Sequence, residues 1–329
     1  MIRPIELSLA TSPTRRFTRF VGVALGGGRG KTTAVARLER VDDGGERPRV
    51  RLAEARLRHG HRGSGEEGGE GGGDPLFRDE VLVAYLQRWT SDETVVAIDA
   101  PLTLPPCIRC PLACPGVQAC TVPVVAWMRR HAPALHAARR SDPGKPAVTP
   151  YTQRAVDVLL THVGLSPRES LGQGMGPLAA RAAYLRRVLS PLLRLHENLI
   201  EVHPPATVTR LFGAEVERRH RRSDSEQAWE LRKRMLTALD SCLAFDFVWP
   251  EVVVRSPHVF DAVIAALTAF LWAHQGWQGP LDLQPAAPSA ASAEPVTADP
   301  LRAAIEGLED RWLEDGWIWV PPAPGGGRV

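Results

Sequence analysis

Apolar and polar positions alternate with a period of two at the start of the chain. In "KTTAVARLERV" (31–41), Thr33, Val35, Arg37 and Glu39 stand opposite Ala34, Ala36, Leu38 and Arg40, with β-branched residues leading. That period predicts a strand. With strands at 19–25 and 48–57, it gives a three-stranded antiparallel meander. The glycines of "GVALGGGRGKTT" (22–33) supply positive φ at the first turn, a hairpin reading. The competing reading is a phosphate-cradling loop of the form G-x-x-x-x-G-K-[ST], and Gly30, Lys31 and Thr32 do fill its last three positions. Its first position holds Leu25, and a strand follows where such a loop opens a helix. The hairpin reading is therefore preferred.

Downstream the period lengthens. "PLFRDEVLVAYLQRW" (75–89) has helical spacing, and "TVVAIDAPL" (94–102) is a short buried strand ended by Pro101. Helices are expected near 124–138, 151–163, 176–197 and 223–243, with one more strand at "NLIEVHP" (198–204). "SPHVFDAVIAALTAFLWAHQG" (256–276) is apolar on all sides behind a Ser-Pro start, a buried helix. A last helix (300–315) and the strand "GWIWVPP" (316–322) follow. A meander followed by alternating helices and strands makes an α/β mixed sheet of RNase H-like order.

The domain reading is a flexible arm (1–18), a domain over 19–280, an Ala/Pro linker (281–299) and a C-terminal helix and strand (300–329). Within the domain, "GHRGSGEEGGEGGGD" (60–74) is a disordered spacer without apolar content, and 103–125 is a Cys- and Pro-rich insertion.

Composition changes this picture little. The chain has 329 residues, 44% of them hydrophobic, enough for a real core. A formal charge of +3 neither demands nor forbids a nucleic-acid partner. Local basic clusters, such as "ERRHRR" (217–222), read as solvated helix faces. "TRRFTRFVGVAL" superficially resembles a twin-arginine signal, but its apolar run is short and no cleavage site follows. No run approaches the ~18 apolar residues of a membrane span, so no membrane partner is expected. A cytoplasmic location is expected, with cysteines reduced or metal-bound.

Cys107, Cys110, Cys114 and Cys120 fall within fourteen residues, while Cys242 stands apart. Four thiolates in a Pro/Gly-rich segment suit tetrahedral coordination of one ion that folds an insertion without a core. The expected ion is Zn²⁺, with an iron–sulfur centre second; a loop of ordinary thiols is the alternative. Three carboxylates also sit in apolar surroundings. Asp99 ends "VVAID", Glu201 interrupts "LIEV", and Asp261 lies in the first turns of "HVFDAVIAALTA". A buried charge needs a partner.

"VAIDAPLTLP", "TPYTQRAVDVLL", "GQGMGPLAARAAYLRRVL", "IEVHPPATV" and "HVFDAVIAALTAFLWA" recur here in the order found in a family of bacterial predicted nucleases of RNase H-like fold, a domain of unknown function. The chain resembles that family over roughly 19–277. The resemblance implies phosphodiester hydrolysis with Asp99, Glu201 and Asp261 as catalytic ligands of Mg²⁺ or Mn²⁺, and nucleic acid as partner. In such sites two ions about 4 Å apart activate water and stabilise the leaving oxygen. The family's first strand carries an aspartate, and Ala24 occupies its place here. That loss predicts weakened or absent hydrolysis. The alternatives are a non-catalytic nucleic-acid- or metal-binding protein on the same scaffold, and a phosphate-binding protein related to actin and the sugar kinases.

Overall fold

The computed structural model describes residues 2, 5, 9, 15–27, 32–41, 48–57, 79–137, 148–221, 225–245, 251–285 and 299–323. The meander forms as its alternation predicts. Strands β1 (Arg19–Ala24) and β2 (Ala34–Val41) pair antiparallel, with Ala24 opposite Ala34, and β3 (Arg49–Leu57) pairs antiparallel to β2. Helix α1 (Glu80–Trp89) then leads into β4 (Thr94–Asp99), which lies parallel to β1. Helices α2 (Pro106–Arg109), α3 (Pro123–Ala137), α4 (Ala155–His162) and α5 (Gly176–Val188) precede β5 (Leu199–Val202), parallel to β4. Next come α6 (Pro204–Phe212), α7 (Ala214–His220), α8 (Glu226–Ala238), β6 (Leu243–Ala244), α9 (Glu251–Arg255) and α10 (Pro257–Gln275). A 3₁₀ turn (Gly279–Leu283), α11 (Pro300–Leu308), α12 (Arg311–Asp315) and β7 (Ile318–Trp319) complete the described chain.

The strands make one seven-stranded mixed sheet, β6-β3-β2-β1-β4-β5-β7, in which β2 alone runs against its neighbours. Its centre, 3-2-1-4-5 with the second strand reversed, is the RNase H-like arrangement expected from the order of elements. Alternation divides each central strand between two cores. Phe20, Ala24, Val95, Ala97, Ile200 and Val202 face the side covered by α10, whereas Val21, Val23, Val96, Ile98 and Leu199 face α1 and α5.

Helix α10 explains the all-round apolar pattern. Its residues from Val259 to His274 are buried. By length and composition it could cross a membrane, contrary to the expectation that no run is long enough, but it lies inside the fold against the sheet. The approach is so close that a Cβ on Gly22 of β1 would collide with the Ala262 carbonyl oxygen and the Ala266 nitrogen. Glycine is required there by contact, not by conformation.

Other expectations shift at their ends. The helix expected over 176–197 stops at Val188, and the one over 300–315 breaks at Glu309, whose φ is 50°. The strand expected over 198–204 ends at Val202, and "HPPATV" opens α6, because proline suits the first helical turn. Helix α7 comes from the basic run read as a solvated face. The two-residue β6 is too short to leave a period. Within the N-terminal arm, the Ile5 N–H donates to the Ala238 carbonyl at 3.0 Å, and Phe17 stacks on Trp272. The 60–74 spacer, Gly28–Lys31 and most of the 281–299 linker lie outside the described residues.

Candidate functional site

A pocket of about 440 Å³ opens at the C-terminal ends of β1, β4 and β5, where the chain's order turns from β1 to β4. Sheets of this kind place ligands at that position. Ala24, Asp99 and Glu201 line its floor; His203, His258 and Asp261 line one wall, with Arg221 beside them. Gly26, Gly27, Thr32, Arg168 and Met175 also line the pocket. All three carboxylates singled out from the sequence therefore reach one pocket.

Register separates them within it. Ala24 pairs with Asp99 across β1 and β4, so the two side chains sit side by side on the α10 face. Glu201 pairs with Ile98 and shares the opposite face with Leu199. There it meets Arg154, fully buried at the N-cap of α4, whose Nη1 and Nη2 donate to the two Glu201 oxygens at 2.7 and 2.6 Å. Leu102 N–H adds a third donor to Glu201 at 2.8 Å. Arg154 also binds Asp157 (3.1 Å) and the Thr103 hydroxyl (2.9 Å). Burial opposes the Arg154 charge, but Asp157 and Glu201 outweigh it and hold the guanidinium well above its ordinary pKa. Burial pushes Glu201 upward and Arg154 pulls it back. We assign both as ionised, since the fork-on-carboxylate geometry uses every lone pair that faces the guanidinium.

Asp261, in the second turn of α10, stays with Asp99. Arg221 Nη2 donates to its two oxygens at 3.2 and 3.4 Å, while Arg221 Nε holds Glu217 at 2.6 Å. Burial raises the Asp261 carboxyl to about 6; Arg221 opposes that rise and the nearby Asp99 adds to it. Asp99 is 29% exposed and faces His203, Nδ1 to Oδ1 3.7 Å. Arg221 is raised as well: burial lowers it, but Asp261, Glu217 and Asp99 prevail. Burial, then Arg221, lowers the neighbouring His258.

The donor set does not fit a pair of divalent ions. Ala24 offers no oxygen, Glu201 is turned to Arg154 on the other face, and Asp261 already has a cation. Among the described residues, no three His, Cys, Asp or Glu side chains group to hold a metal. The same applies to the cysteines. Cys107 on α2, Cys110, Cys114 and Cys120 are unbridged and range from exposed to buried. They are near neighbours: after burial, Cys120, Cys114 and Cys110 each raise the Cys107 thiol.

Residues 53–289 match the family described as a protein of unknown function, DUF429. The chain belongs to the DUF429 family. The matched segment takes in the three carboxylates, Arg154 and Arg221, and begins after β1 and Ala24. No curated protein and no solved structure matches the chain. In this DUF429 protein the residues that sequence reasoning missed are the arginines. Arg154 carried a signal, the R-x-x-D spacing of "TQRAVD", with Asp157 at the third helical position closing on the Arg154 N–H at 2.9 Å. Arg221 had none, being one of several arginines in a basic run.

Proposed function

We propose that this DUF429 protein binds the phosphate backbone of nucleic acid on an RNase H-like sheet and has lost two-metal phosphodiester hydrolysis. The observation that carries the reading is Ala24 in register beside Asp99, at the strand ends where the resemblance to predicted nucleases puts an aspartate. Two-ion catalysis needs oxygens that bridge both ions. Here Arg154 and Arg221 stand against Glu201 and Asp261 instead, and a guanidinium fixed in the pocket keeps it from becoming a repulsive carboxylate cluster. Basic side chains and the resemblance to predicted nucleases support nucleic acid as the partner.

The test is fluorescence anisotropy of a labelled single-stranded oligonucleotide in EDTA. Binding without any divalent ion, weakening steeply as salt rises, supports the reading. Binding that appears only on adding Mg²⁺ or Mn²⁺ contradicts it.

A further inference from the structure

The arginines of the pocket differ in what they have left to offer. Arg154 is engaged on every side by Glu201, Asp157 and Thr103, and Arg221 is engaged with Glu217 and Asp261. Arg168, on the loop ahead of α5, lines the pocket, is exposed and makes no ion pair among the described residues. The Thr32 hydroxyl and the backbone of Gly27 line the same pocket, with open space where a Cβ on Gly27 would point. Among the described residues that line the pocket, Arg168 is thus the arginine without an ion pair, and Gly27 leaves open space for an anion.

The interior has a different chemistry. Asp99 and His203 supply acceptors and donors suited to hydroxyl groups, and His258 lies nearby. No Phe, Tyr or Trp lines the pocket among the described residues. Proteins that hold single strands along a groove use aromatic side chains as base platforms. A half-open pocket of about 440 Å³ instead has the size of one small ligand.

From this we infer that the pocket takes a terminal phosphate monoester on a hydroxylated, ribose-like body, its phosphate at Arg168 and its hydroxyls at Asp99 and His203. The inference rests on the phosphate-binding reading and narrows it to a terminal phosphate, the form that a pocket of one small ligand's volume accommodates end-on. A free nucleotide and the phosphorylated end of a strand share this chemistry.

The experiment measures binding in EDTA of adenosine 5′-monophosphate, adenosine, a short single strand with and without a 5′-phosphate, and circular single-stranded DNA. The expected result is that the phosphorylated partner of each pair binds about tenfold or more tightly, the size of one charge-assisted hydrogen bond. Arg168→Ala should erase that preference while leaving the circular dichroism spectrum unchanged. Tighter binding of the monophosphate than of the phosphorylated strand identifies a free nucleotide, and the reverse order identifies a strand end. Circular DNA binding as tightly as the phosphorylated strand overturns the inference and leaves the backbone-binding reading intact, as does a monophosphate preference that survives Arg168→Ala. Failure of every probe to bind sinks both.

Discussion

Arg221 reaches both oxygens of Asp261, at 3.2 and 3.4 Å, from the end of α7, and Asp99 adds to the field that holds the guanidinium charged. A protein cation therefore occupies the ground between two carboxylates that a sequence reading assigns to a metal. Removing it should reopen the site. Arg221→Gln is expected to raise Mn²⁺ affinity, and the double variant with Ala24→Asp should raise it further, because it adds an oxygen beside Asp99. Calorimetric titration of Mn²⁺ into wild type, single and double variants checks this; equal affinities in all three would refute it.

Asp261 also makes stability depend on pH. Its carboxyl is raised from 3.8 to about 6 in the folded protein, so the native state binds the proton more tightly than the unfolded chain. Stability from this group is highest below about pH 4 and falls as pH rises toward 6, by about 3 kcal/mol at ~1.4 kcal/mol per unit. Thermal melts between these limits should show a fall in wild type that Asp261→Asn lacks. A parallel pH profile in the variant would show that the carboxyl does not titrate in this range.

Arg154 holds two buried acids, and its loss strands both. Arg154→Leu is expected to cost about 3–5 kcal/mol, the usual penalty for breaking a buried ion pair from one side. Adding Glu201→Gln and Asp157→Asn should recover a large part of that loss. Urea unfolding of the single and triple variants measures it; a triple variant no better than Arg154→Leu would mean that packing, not charge, is at stake.

At Gly22 the constraint is steric. Gly22→Ala places a methyl group into the backbone of α10, and neither backbone can yield cheaply. Loss of about 3 kcal/mol or more, or failure to fold, is expected from denaturant unfolding. A neutral substitution would mean that α10 sits farther from β1 than described.

The cysteines give a graded prediction. Cys114 is exposed and Cys110 half-buried, whereas Cys120 is buried and burial pushes Cys242 up to about 12. A thiol reagent at mild alkaline pH should modify Cys114 first and Cys242 last. Four thiols of the cluster protected together, and freed together by a chelator, would instead reveal a bound zinc.

Much of the fold was legible because strand and helix periods act locally. The meander, β4, β5 and the buried helix α10 all follow from runs such as "AVARLERV" and "HVFDAVIAALTAFLWA". The pairing of Ile98 with Glu201 was not legible, since register is set between strands distant in sequence. That one relationship decides the site: a shift by one residue would have put Glu201 with Asp99 and a third oxygen on the α10 face. Arg221 was hidden for the same reason, because only its ion pair with Asp261 on α10 distinguishes it from the arginines around it.

The central claim is that arginines, not metal ions, balance this pocket. The most direct measurement is the cleavage of labelled single-stranded and duplex nucleic acid by wild type and Asp99→Asn in Mg²⁺ or Mn²⁺. The account predicts binding with no divalent-dependent cleavage by either protein. Brisk cleavage by wild type that Asp99→Asn abolishes would contradict it.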